Sequence, residues 1–168
     1  MKRLIVYFLE IIICYIIQSS MFHYMALANV MPNLLLILVV STAYMRGRMT
    51  GLLIGLFSGL LVDLTFGSII GLYGFIYMII GYFMGFANKI YSDDDYTLPI
   101  LFVAISDLVY GFLYYGFEFL LRGKLNFPYY LVRIILPEIV YTVVASILLY
   151  KLLHIVNNRL ISVVTEEE

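Results

Sequence analysis

The sequence predicts an all-α, polytopic membrane helix bundle with six transmembrane helices and both termini cytoplasmic. Composition is the first ground. Of 168 residues, 64% are hydrophobic and 12% charged, where soluble domains run at about 45–50% and about a quarter; mean hydropathy is +1.02. The excess runs the whole length, so residues 1–168 read as a single integral-membrane domain with no soluble part. The second ground is a stripe of small residues. Gly51, Gly55, Gly59 and then Asp63 recur every fourth position in a run with no other charge. At helical pitch they fall on one face, where absent side chains let a second backbone approach closely. The aspartate that closes the stripe is expensive in hydrocarbon and should face protein or water.

Spanning helices need roughly 17–25 apolar residues, which places them at about 4–22, 26–45, 49–66, 69–88, 97–120 and 128–153. The first follows Lys2-Arg3 and could pass for a signal peptide. Gln18-Ser19-Ser20 offers no good cleavage site, so it is expected to stay as a spanning helix. Pro32 interrupts the second near its start, and only Arg46-Gly47-Arg48 separates second from third. That pair could form a hairpin that does not fully cross. Two arginines at its tip must reach water, which favours a full crossing. The fourth carries a further small-xxx-small pair, Gly81 and Gly85, after Gly67, Gly71 and Gly74. Pro137 in the sixth is positioned to kink it.

Orientation follows from the positive-inside bias. With a cytoplasmic N-terminus, Lys2, Arg3, Arg46, Arg48, Lys89, Lys151 and Arg159 lie inside, and Arg122 and Lys124 outside. Tyr114-Tyr115 and Phe127-Pro128-Tyr129-Tyr130 suit an aromatic belt at the outer interface. The Asp93-Asp94-Asp95 run and the Glu166-Glu167-Glu168 tail read as solvated segments rather than ion sites.

Several function classes are excluded or disfavoured. Net charge is −1 with scattered basic residues, so no nucleic-acid partner is expected. A single cysteine, Cys14, rules out disulfide scaffolding and multi-cysteine metal sites. His23 and His154 lack ligand spacing and read as structural or interfacial. No HExxH, GxSxG or phosphate-cradling loop is present. The expectation is a protein with no catalytic residues, metal or cofactor.

Six ionisable residues fall inside the expected spans: Glu10, Asp63, Asp107, Glu118, Arg133 and Glu138. Such residues are functional suspects by default. A structural ion pair among Asp107, Glu118, Arg133 and Glu138 is favoured over a proton relay, with Glu118 the easier partner for Arg133 by depth. Glu10 has no basic neighbour in its own turn, so it is either protonated or paired with another helix or another protein. The glycine-rich positions Gly51, Gly55, Gly59, Gly67, Gly81 and Gly85, with Asp63, are candidate helix-packing or partner-binding residues. Packing within the chain is favoured over a seam between chains, and a homo-oligomer through the stripe stays open.

Pro32-Asn33-Leu34 through Tyr44, then Arg46-Gly47-Arg48 and the Gly51-to-Asp63 segment, resemble the rod shape-determining protein MreD family. The likeness continues through Gly67-Ser68 and Gly71-Leu72 to Gly85. The resemblance implies a non-enzymatic bacterial inner-membrane scaffold of the cell-elongation (rod) complex, supporting side-wall peptidoglycan synthesis and cell shape. It implies action with the bitopic MreC, the actin-like MreB, the glycosyltransferase RodA and a penicillin-binding transpeptidase. It carries over no catalytic residues.

The alternative from another class is a substrate-binding membrane subunit of an energy-coupling-factor vitamin transporter. Its outward cavity could be lined by Asp107, Tyr110, Tyr114, Glu118 and Arg133. Against it, Leu4 to Ile17 is built from bulky residues rather than the small-xxx-small motif such subunits present to their coupling partner. A proton- or ion-conducting bundle is a distant third.

Overall fold

The computed structural model describes residues 2–25, 31–67, 70–92, 96–117 and 127–165. Among them every regular element is helical: α1 (Lys2–Met25), α2 (Leu34–Arg46), α3 (Arg48–Phe66), α4 (Leu72–Met84), a 3-10 turn (Gly85–Ile90), α5 (Thr97–Tyr115), a short α6 (Phe127–Tyr130), a π-helical turn (Leu131–Ile135) and α7 (Leu136–Thr165). Four stretches are long and apolar enough to cross a membrane: Leu4–Met21, Arg48–Thr65, Thr97–Tyr115 and Phe127–Arg159.

The helix at the centre is not one of those four. In α2 every residue from Leu34 to Met45 is buried, with α1, α3, α4, α5 and α7 all packed against it. A helix that is apolar all round belongs inside, and Leu-Leu-Leu-Ile-Leu-Val-Val is such a sequence. It starts at Leu34 rather than near residue 26 because Asn33 caps it. The Asn33 side chain accepts from the Leu36 N–H at 3.2 Å, and Gln18 of α1 accepts from the Leu35 N–H at 2.9 Å. At the other end Asn88 donates to the carbonyls of Tyr44 and Met45 at 2.8 and 3.0 Å. Helix ends away from water need such partners, and Asn33, α1 and the 3-10 turn supply them.

Gly47 alone links α2 to α3, at φ +91°, a conformation that favours glycine. It is the physical basis of the tight hairpin expected there. The tip differs from expectation in one respect. Arg48 is exposed, its guanidinium 4.7 Å from the centroid of the Phe86 ring, whereas the Arg46 side chain turns inward and is 7% exposed. The demand that both arginines reach water is therefore corrected: Arg46 finds its partners inside the bundle.

The last helix also departs from the expected 128–153. Helical structure runs from Phe127 to Thr165, since Asn157-Asn158-Arg159 is polar but contains no helix breaker. The disturbance expected at Pro137 takes the form of the π turn just before it. Proline has no N–H for the carbonyl one turn back, and an extra residue in the turn accommodates the defect. Pro99 leaves α5 intact because it sits in the first turn, where N–H groups have no helical acceptor.

The exterior of the bundle is apolar. Leu4, Phe8 and Ile16 on α1, Leu53 and Phe57 on α3, and Val144 and Leu148 on α7 are all exposed. That inversion of the soluble pattern suits a hydrocarbon surround.

Candidate functional site

The glycine stripe is filled from within the chain. A Cβ on Gly51 would meet the Gly81 carbonyl and Ala43, one on Gly55 the Tyr77 carbonyl, and one on Gly59 the backbone of Tyr73 and Gly74. Across the seam, a Cβ on Gly81 would strike Gly51 and one on Gly85 would strike Arg48. The helices α3 and α4 thus touch backbone to backbone over their length. Gly67 serves differently: it ends α3, donating to the Asp63 carbonyl at 3.1 Å.

Asp63 closes the seam by capping α4. Its Oδ1 accepts from the Tyr73 N–H at 3.0 Å and its Oδ2 from the Gly74 N–H at 2.8 Å, with the residue 3% exposed. A carboxylate on the first amides of a helix also meets the positive end of the helix dipole. Gly71, at φ +96°, turns the chain so that those amides face α3.

A second polar centre lies where α1, α2 and α7 meet. The two terminal nitrogens of Arg46 donate to the two oxygens of Glu10 at 2.8 and 2.9 Å, and Nε donates to Asn157 Oδ1 at 3.0 Å. The guanidinium also sits 4.6 Å from the Tyr7 ring centroid. Glu10 is thus paired within the chain. Sequence spacing gave no sign of this pair; depth could have, because Glu10 belongs to the N-terminal half of α1 and Arg46 to the C-terminal end of α2.

The third polar centre gathers at the start of α2. Tyr77 Oη donates to Asn33 Oδ1 at 2.6 Å, and the Asn33 N–H donates to Thr142 Oγ1 at 3.1 Å. Rings of Tyr73, Tyr77, Tyr110 and Tyr114 pack on one another with centroids 5.3–6.4 Å apart. Asp107 is 1% exposed, and neither of its oxygens is hydrogen-bonded among the described residues. Glu138 lies within electrostatic range of it. Arg133 points outward, exposed, and among the described residues it makes no ion pair with Asp107 or Glu138. The pairing of Arg133 with Glu118 expected by depth falls outside the described residues, because Glu118, like Asp93 to Asp95 and Arg122, is not among them. Tyr77 and Thr142 carried no sequence signal beyond being polar in apolar helices, and Asn33 entered only as part of the Pro32-Asn33-Leu34 run.

His154 is a buried structural residue, with Nδ1 3.2 Å from Tyr91 Oη and Nε2 3.1 Å from Asn158 Nδ2. Among the described residues no group of three or more His, Cys, Asp or Glu could hold a metal ion.

A glycine seam ending in an aspartate cap, beside a helix pair joined by one glycine, is the segment that carried the family resemblance. The sequence model described as rod shape-determining protein MreD matches residues 1–159. The chain belongs to the MreD family. No curated protein and no solved structure matches it. Membership makes it a rod shape-determining membrane protein, of a family whose role is structural and which is not known for enzymatic activity. The vitamin-transporter reading gains no support.

Proposed function

We propose that this chain is a multi-pass scaffold of the bacterial inner membrane, with six crossings and both termini in the cytoplasm. It holds partner transmembrane helices in the rod complex and performs no chemistry. MreC is the expected direct partner, with MreB, RodA and the penicillin-binding transpeptidase engaged directly or through it. With a cytoplasmic N-terminus and six crossings, Lys2, Arg3, Arg46, Arg48, Lys89, Lys151 and Arg159 fall on the inner side, and that sequence bias supports the orientation.

One observation carries the mode of binding. Because α4 fills the glycine face, a partner needs another surface, and an apolar groove runs between α1 and α3. It consists of a cavity of about 350 Å³ lined by Leu4, Tyr7, Phe8, Leu53, Ile54 and Phe57. A second, of about 260 Å³, shares Phe8, Ile11 and Phe57 and extends to Leu64. From Thr50 to Leu64 the groove covers about 21 Å at 1.5 Å per residue, most of a hydrocarbon core. Its inner end abuts Tyr7, on whose ring Arg46 rests, so the wall is anchored. The occupant that fits is a single transmembrane helix.

Photo-crosslinking residues at Phe8 and Phe57 in cells, with Leu148 on α7 as a control face, tests this. Crosslinks to MreC from the first two positions and none from the third are expected. Crosslinks to MreC from Leu148 alone would move the docking face to α7 and sink the groove.

A further inference from the structure

The glycine seam does not stop at Gly51. One step beyond it, a Cβ on Gly85 would strike the backbone of Arg48. That contact brings the start of α3 onto the 3-10 turn and sets the Arg48 guanidinium 4.7 Å from the centroid of the Phe86 ring. The turn itself carries a second cation. In a 3-10 helix side chains three apart eclipse, so Lys89 follows Phe86 on one face of Gly85–Ile90. In the other direction Phe83 stacks on Phe86, with centroids 6.3 Å apart and ring planes at 29°, and Tyr82 meets Phe86 edge-on at 5.5 Å. Arg48 and Lys89 thus share the face that the Phe86 ring defines.

Both cations are exposed, and among the described residues neither makes an ion pair. Beside them Met49, Phe83, Phe86 and Ile90 are exposed as well. Hydrocarbon suits these apolar side chains and rejects the charges. A surface that presents both belongs at the headgroup layer, where aromatic rings collect. An acidic protein segment would answer the two charges but leave Met49, Phe83 and Ile90 facing water. A glycerophospholipid answers both, with phosphate for the cations and acyl chains for the apolar side chains.

We propose that Arg48 and Lys89, mounted on the Phe83–Phe86 step, bind the phosphodiester headgroup of an anionic glycerophospholipid. A guanidinium can offer two parallel N–H donors to the two free phosphate oxygens. Phe86 holds its plane in advance, so less freedom is lost when those bonds form. Lys89 adds a second charge. A zwitterionic headgroup brings an ammonium of its own that competes with both cations, so the anionic lipid is preferred. The leaflet rests on the orientation proposed above, which makes it the inner one; the binding does not rest on it.

The test uses the full chain in mild detergent. Native mass spectrometry counts bound lipid as phosphatidylglycerol or phosphatidylcholine with the same acyl chains is added. The native chain should prefer phosphatidylglycerol. A basic side chain near an anionic surface is worth about fivefold in binding, so Arg48→Gln with Lys89→Gln should lower that preference by about twenty-five-fold. Arg133→Gln with Lys151→Gln removes the same charge from exposed positions elsewhere and should leave the preference intact. All three proteins should melt alike without added lipid, since every replaced side chain is exposed, which separates lost binding from lost fold. Equal losses in the two variants, or no preference in the native chain, overturn the proposal. Release of the bound lipid by millimolar inorganic phosphate also overturns it, in favour of a site for free phosphate. The scaffold reading is decided separately, by the crosslinks at Phe8 and Phe57, so either can fail alone.

Discussion

Arg46 and Glu10 grip each other through both arms of the guanidinium and both oxygens of the carboxylate, at 2.8 and 2.9 Å, with side chains 7% and 8% exposed. The pair ties the end of the central helix α2 to α1, and Asn157 ties it to α7. Three helices thus share one polar group inside an apolar bundle.

Breaking that pair from one side leaves a buried charge. Glu10→Ala or Arg46→Ala should each cost about 3–5 kcal/mol, read as a large fall in melting temperature in detergent. Arg46→Lys should rescue little, because an ammonium cannot span both carboxylate oxygens and Asn157 at once. Replacing both members by apolar residues of similar volume, Glu10→Leu with Arg46→Met, should recover most of the loss. Equal damage in the double and single variants would show that the ion pair is not the element at stake.

Asp63 poses a more local question. Its two oxygens serve two amides of one helix start, so Asp63→Ala should fray the first turn of α4 while the chain still inserts. The cost is expected at about 1–3 kcal/mol. Hydrogen exchange should quicken at Tyr73 and Gly74 and stay unchanged along α5. Asp63→Asn should fall between, since an amide keeps one acceptor and turns a donor toward the second N–H. Uniform exchange in native and Asp63→Ala proteins would remove the capping role.

How far the sequence disclosed this arrangement depends on the distance over which each signal acts. Composition and apolar run lengths announced a helical membrane bundle because they sum over many residues. The glycine stripe announced a close packing face because its spacing is local to one helix. The identity of the helix that fills the stripe is a matter of topology, and so is the partner of Glu10, which lies 36 positions away. The start of α2 was missed for a related reason. Its boundary is set by Asn33 and by Gln18 from another helix, and hydropathy alone cannot register a cap. The extension of α7 past residue 153 follows from helix propensity, which continues where hydrocarbon ends.

Asn33 serves two masters, so its loss should be partly repairable. Asn33→Ala removes the cap on Leu36 and strands the Tyr77 hydroxyl, now without its 2.6 Å acceptor. A buried donor left unpaired costs about 1–3 kcal/mol. Tyr77→Phe removes that stranded group. The double variant should therefore be more stable than the sum of the two singles predicts, with a coupling of about 0.5–3 kcal/mol. Strict additivity in melting measurements would mean that the two residues act independently.

The seam between α3 and α4 makes the last prediction the most discriminating, because glycine to alanine has opposite consequences at two sites. At Gly55 the new methyl would fall on the Tyr77 backbone. Backbone cannot rotate away as a side chain can, so α3 and α4 must separate, and overpacking of this kind costs about 1–3 kcal/mol. At Gly116, just beyond α5, φ is −59° and nothing among the described residues lies within 4 Å of the same methyl. There alanine removes unfolded-state freedom at no steric cost and should be neutral or stabilising by about 0.4–1 kcal/mol. Melting temperatures of Gly55→Ala and Gly116→Ala, measured side by side, should therefore move apart. If Gly55→Ala melts like the native protein, the backbone contact that defines the seam is not there.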